Sequence, residues 1–98
     1  MPAIARNGDP TTTGHGCDAT TTVTGPSGNV FANNIGVERK EDPTSAHTIL
    51  SGNSCVPHSA VINVGSGNVF VNNIPVARVG DSTDSGAITA GSPNVYAN

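Results

Sequence analysis

Residues 66–83 read Ser-Gly-Asn-Val-Phe-Val-Asn-Asn-Ile-Pro-Val-Ala-Arg-Val-Gly-Asp-Ser-Thr, and residues 27–44 read Ser-Gly-Asn-Val-Phe-Ala-Asn-Asn-Ile-Gly-Val-Glu-Arg-Lys-Glu-Asp-Pro-Thr. At an offset of 39 the pairs Asn29/Asn68, Val30/Val69, Phe31/Phe70, Asn33/Asn72, Asn34/Asn73, Ile35/Ile74, Val37/Val76, Arg39/Arg78 and Asp42/Asp81 are identical. Self-similarity at a fixed period means one supersecondary unit used more than once. Within each copy Asn-Val-Phe-x-Asn alternates with the period of a strand. Asn-Asn at 33–34 and 72–73 tolerates the positive φ of a tight turn, and Ile-x-Val-x-Arg makes the return strand. Each copy is expected to be a β-hairpin. Alternation puts Val30, Ile35 and Val37, and likewise Val69, Ile74 and Val76, among the inward positions.

A third copy is cut in two. Its first half, Gly91-Ser92-Pro93-Asn94-Val95-Tyr96-Ala97-Asn98, matches Gly65-Ser66-Gly67-Asn68-Val69-Phe70-Val71-Asn72, and its second half, Ala5-Arg6-Asn7-Gly8-Asp9, matches Ala77-Arg78-Val79-Gly80-Asp81. If the C-terminal segment runs into the N-terminal one in space, three hairpin units surround a pseudo-threefold axis, and the two ends of the chain are neighbours. Arg6, Arg39 and Arg78 recur with Asp9, Asp42 and Asp81 three residues on. They are either solvated turn pairs or bridges that tie neighbouring units together.

The bulk composition narrows the rest. A chain of 98 residues is read as a single domain over 1–98. Hydrophobic residues make up 35% and aromatic residues 3%, with two Phe, one Tyr and no Trp, against 12 Gly and 7 Pro. That describes a turn-dense all-β domain without a conventional oily core, and such a domain calls for a metal, a crosslink or a partner. Four Lys and Arg against seven Asp and Glu leave a net charge of −3, which argues against nucleic acid as a partner. No apolar run approaches the ~18 residues of a membrane span, and Met1-Pro2-Ala3-Ile4-Ala5-Arg6 lacks the pattern of a signal peptide, so synthesis as a soluble cytoplasmic chain is expected.

The segments joining the units run from Pro10 to Gly28, Pro43 to Gly67, and Ser82 to Pro93, and the first two hold every His and both Cys. They are read as loops, where function collects on a regular scaffold. The Thr11–Thr13 and Thr20–Thr22 runs are placed in these loops as turn-capping hydroxyls. Cys55-Val56-Pro57-His58 has the two-residue gap that lets a thiolate and an imidazole reach one ion from a single turn, with His15 and His47 completing a tetrahedron from separate loops. Four protein ligands leave no open position, so the ion would be structural and would supply folding energy. Zinc is the expected ion, with iron the alternative because imidazole suits both. Three other arrangements stay open: a Cys17–Cys55 disulfide that leaves the histidines as ordinary loop residues, two inert thiols, and Cys17 replacing His15 as ligand.

Catalytic patterns are absent. There is no Gly-x-Ser-x-Gly elbow, no His-Glu-x-x-His, no phosphate-binding glycine loop and no carboxylate pair framed by aromatic residues. Asp18 or Asp84 could serve a catalytic metal as acid or base, but nothing singles out either one. A non-enzymatic protein is expected.

The unit at 65–81, with Pro75-Val76-Ala77-Arg78 in the place of a Pro-Ala-Ala-Arg tetrapeptide, the opening Pro-Ala-Ile-Ala-Arg-Asn-Gly-Asp, the closing Gly-Ser-Pro-Asn-Val and the Cys-x-x-His together resemble the PAAR-repeat proteins over essentially the whole chain. The resemblance implies a small three-sided β cone with a metal-stapled apex, its broad base seated on a trimeric β-helical spike. Such spikes serve type VI secretion systems and contractile phage tails. It also implies three His and one Cys on the metal, which here would be His15, His47, Cys55 and His58. The sequence departs from the family pattern at Gly36-Val37-Glu38-Arg39, at Lys40-Glu41-Asp42, and at Ser85, where many members have another Cys. The function so implied is a membrane-piercing spike tip, one copy per trimer, with a target membrane as its second partner. The competing readings are an adaptor that carries or recruits effector proteins and, further off, a small zinc hydrolase. The expected location is the tip of a virion tail spike or of a type VI apparatus.

Overall fold

A computed structural model describes Met1–Asn98 as ten short strands and no helix: β1 Pro10–Thr12, β2 Thr20–Thr22, β3 Phe31–Ala32, β4 Ile35–Gly36, β5 His47–Ser51, β6 Ser54–His58, β7 Phe70–Val71, β8 Ile74–Pro75, β9 Ser82–Thr83 and β10 Gly86–Ala87. Each strand pairs antiparallel with its neighbour in sequence, giving five separate hairpins. The repeat dictates β3–β4 and β7–β8. Asn33 and Asn34 have φ of 56° and 64°, and Asn72 and Asn73 have φ of 55° and 65°, which is the type I′ geometry that matches strand twist. The third unit closes across the chain ends. Ala3 bridges Tyr96, the amide of Ile4 donates to the carbonyl of Val95 at 2.9 Å, and that of Ala97 donates to Pro2 at 3.0 Å.

Three residues, one from each unit, form the hub. The Ala5 amide donates to Ala77, the Ala77 amide to Glu38, and the Glu38 amide to Ala5, at 3.0, 2.9 and 3.0 Å respectively. Around this closed triangle the bridges Arg6–Val37, Arg39–Val76 and Arg78–Ile4 repeat the same step from unit to unit. Each Arg lies bidentate on the Asp three residues later: Arg6 on Asp9, Arg39 on Asp42 and Arg78 on Asp81. The ion pairs therefore sit within units. The tie to the next unit is a hydrogen bond from the same guanidinium to a turn asparagine, Arg6 to Asn33 at 3.2 Å and Arg39 to Asn72 at 3.2 Å.

The joining segments correct the sequence reading. They are a second, upper tier of hairpins, β1–β2, β5–β6 and β9–β10, held in a second ring by the bridges Val23–Thr44, Ile62–Thr83 and Thr11–Ile88, with the repeat hairpins as the lower tier. The threonine runs, Thr13 apart, are strands, with Thr11 opposite Thr21 and Thr12 opposite Thr20, because β-branched side chains suit the pleat. Buried Thr11 bonds Thr83 hydroxyl to hydroxyl across this tier.

Two thin apolar clusters fill the axis. Ile4, Ala32, Val37, Val71, Val76 and Ala97 form one, and Ala5, Val23, Ile62, Ala77 and Ile88 the other. Val37 and Val76 are inward as the alternation requires. Val30 and Ile35 are instead about a third exposed and Ile74 is half-buried, because the strands are two residues long and Ala32, Val71 and Ala97 take the inward places. The molecule is elongated, 41 × 23 × 22 Å, and no helix is long and apolar enough to cross a membrane.

Candidate metal centre

Three imidazoles and one carboxylate converge in the upper tier. His47 and His58 stand directly opposite each other in the β5–β6 register, so both rings project from one face of that hairpin. His15 comes from the loop between β1 and β2 and stacks on His47, with ring centroids 5.3 Å apart. Asp84, at φ 55°, forms the turn between β9 and β10. Its Oδ2 lies 2.7 Å from His15 Nε2, 3.0 Å from His47 Nε2 and 3.2 Å from His58 Nε2.

The loops are shaped to allow this. Gly14, at φ 74°, packs so tightly on the β9–β10 turn that a Cβ would run into the carbonyl of Ser85, whose amide donates to Thr13 at 2.9 Å. Beyond His15, the Asp18 carboxylate accepts hydrogen bonds from the Thr48 amide and hydroxyl at 2.8 and 2.9 Å, which hold the loop on β5 and keep Asp18 below the ordinary carboxylate range.

The donor set fits a cation. His15 Nδ1 lies 3.0 Å from the Gly16 carbonyl and His47 Nδ1 lies 2.8 Å from the Ser45 carbonyl, and a carbonyl can only accept. The proton is thus fixed on Nδ1, and Nε2 of each neutral ring presents its lone pair toward Asp84. Lone pairs facing one carboxylate oxygen repel unless the rings are protonated or a cation sits among them. This backbone-fixed tautomer is the usual condition of a metal-bound histidine. The Gly16 carbonyl, opposed by burial and reinforced by Asp84, holds His15 above its ordinary value. Burial pushes the Asp84 carboxyl up, but where protons rather than a cation sit on the two Nε2 atoms, hydrogen bonds from His15 and His47 outweigh it and leave Asp84 below the usual range. The four ligand atoms lie within 4.8 Å of one another.

Of the four residues expected from sequence, the structure brings together His15, His47 and His58, and Cys55 lies outside that group. Cys55 is bonded to Cys17 as a disulfide. The two-residue gap to His58 supports a shared ligand role on a turn. On an extended strand, residues three apart face opposite sides and lie about 10 Å apart along the chain. Cys17, held in the same disulfide, does not take the place of His15 in the group. The disulfide considered as an alternative is present, and the histidines are nonetheless clustered. Asp84 is the fourth member of the group. A signal for it was available in the repeat: Asp9, Asp42 and Asp81 are each followed within six residues by a member of the cluster, His15, His47 and Asp84.

A comparison with curated proteins returned no match. A family model for the PAAR motif matches residues 13–91, a span that holds both complete copies of the repeat and all four converging side chains. Since that match covers most of an all-β, threefold-repeated chain, the protein belongs to the PAAR-motif family, the spike-tip proteins of contractile injection systems.

Proposed function

We propose that this protein caps a trimeric β-helical spike, one copy to one trimer, and that its His15, His47, His58 and Asp84 side chains hold a single structural zinc ion, with iron as the alternative. The observation that carries the capping role is a triangle of exposed aromatic side chains. Phe31, Phe70 and Tyr96 occupy the same place in the three units and are 59%, 55% and 49% exposed, while the residue after each one is buried. A chain this poor in aromatic residues places all three outward, where each can meet one chain end of a threefold partner as an interface anchor. Seating on a trimer would also cover the edges of the two-residue strands β3–β4 and β7–β8. The upper tier lies beyond the hub from these side chains, and one ion joining its three hairpins would stiffen the end that meets resistance. The protein is read as structural, in keeping with its family, acting in a virion tail tip or a secreted type VI spike.

The test is reconstitution with the spike trimer of the host machine. Native mass spectrometry is expected to give one cap per trimer, with one zinc per cap by elemental analysis. Phe31→Asp with Phe70→Asp should abolish the complex while leaving zinc content unchanged. A complex of three caps per trimer, or one indifferent to the double substitution, would refute the seating.

A further inference from the structure

The disulfide lies outside the ligand set, yet it joins the two elements that carry the histidines. Cys17 follows His15 by two residues and Cys55 precedes His58 by three. The β5–β6 hairpin pairs with no other strand, and the His15 loop is fastened to it by the disulfide, the Cys17–Ile49 bridge and the Asp18–Thr48 hydrogen bonds. Cys17 has φ of 73°, a left-handed conformation that a residue other than Gly, Asn or Asp adopts only when held there. Between Cys17 and His15 stands Gly16, whose carbonyl receives Nδ1–H of the His15 ring.

We propose that the Cys17–Cys55 disulfide is a positioning element for the histidine cluster: it sets His15 against His47 and His58, so that the affinity of the cluster for a divalent cation depends on the redox state of the two sulfurs. The cation part rests on the metal reading given above. Cutting the bond frees Cys17 to leave its left-handed conformation, and Gly16 moves with it, releasing the ring that depends on the Gly16 carbonyl. His47 and His58 face each other across paired strands and keep their places. One ligand of four is therefore under redox control.

The experiment compares zinc affinity, by competition with a chromogenic chelator, for the oxidised protein and for Cys17→Ser with Cys55→Ser, which removes the bond without a thiol that would itself bind zinc. The expected result is at least tenfold weaker binding in the double variant. Affinities within twofold overturn the proposal. So does tighter binding in wild-type protein reduced by a phosphine than in the oxidised form, which would mean that a freed thiolate joins the histidines. A second arm needs no metal. Ring-to-ring contacts between His15 and His47, 5.3 Å apart by centroid, are followed by NMR in apo protein before and after phosphine reduction. They should vanish while the His47–His58 contacts remain, and persistence of the His15–His47 contacts overturns the proposal. If no form binds zinc but the His15 contacts still vanish on reduction, the metal reading falls and the positioning stands.

Discussion

Glu38 makes the hub sensitive to pH. It occupies the place that Ala5 and Ala77 take in the other two units, it is 0% exposed, and neither carboxyl oxygen has a hydrogen-bond partner. Burial, reinforced by Asp42 and Asp9 and opposed by Arg39, pushes its pKa from an ordinary 4.5 up to about 9. The folded protein thus carries a proton on Glu38 that the unfolded chain has lost at neutral pH. The stability tied to that proton is complete below pH 4.5 and disappears as the pH rises toward 9. At about 1.4 kcal/mol per pH unit, holding the proton costs about 3 kcal/mol at pH 7 and up to about 6 kcal/mol by pH 9. Glu38→Gln keeps the shape and removes the titration. Urea unfolding of both proteins at a series of pH values, disulfide intact, should show wild-type stability falling relative to the variant by about 1.4 kcal/mol per unit between pH 5 and 9. The comparison rests on slopes, because the Gln amide brings unpaired donors of its own. Parallel profiles for the two proteins would refute the reasoning, as would a Glu38 carboxyl that titrates in the ordinary range.

Two further outcomes follow from the packing. Gly14→Ala forces a Cβ into the Ser85 carbonyl at a positive φ, and is expected to lower stability by about 2 kcal/mol or more in thermal melts and to displace His15. Asn72→Ala removes the acceptor of the Ser27 hydroxyl and of Arg39 and strains a turn at φ 55°. A loss of about 1–3 kcal/mol is expected, and Asn72→Gly, which relieves only the backbone, should recover about 1 kcal/mol of it by the same unfolding assay.

The lower tier was legible because its signal is local and repeated: Asn-Asn turns and alternating apolar residues recur at 27–44 and 66–83, and the split copy points to the joined ends. The upper tier was harder to see. Its three hairpins differ in length and lack a shared motif, so Pro10–Thr12 reads as loop although it pairs residue by residue with Thr20–Thr22. The candidate metal centre divides along the same line. The histidines stand out by type, whereas the role of Cys55 depended on whether residues 55–58 form a turn or a strand. A one-step difference in backbone periodicity sends that side chain to the other face. Asp84 carries no motif and is identified by where its turn folds back.

The junction of Ala3 with Tyr96 makes the polypeptide a circle in all but one covalent bond. Since the same unit follows itself around the axis, the position of the break is immaterial to the architecture. A variant with its ends joined by a short linker and opened between Asn33 and Asn34 would fold to the same ring of units, read from a different starting point.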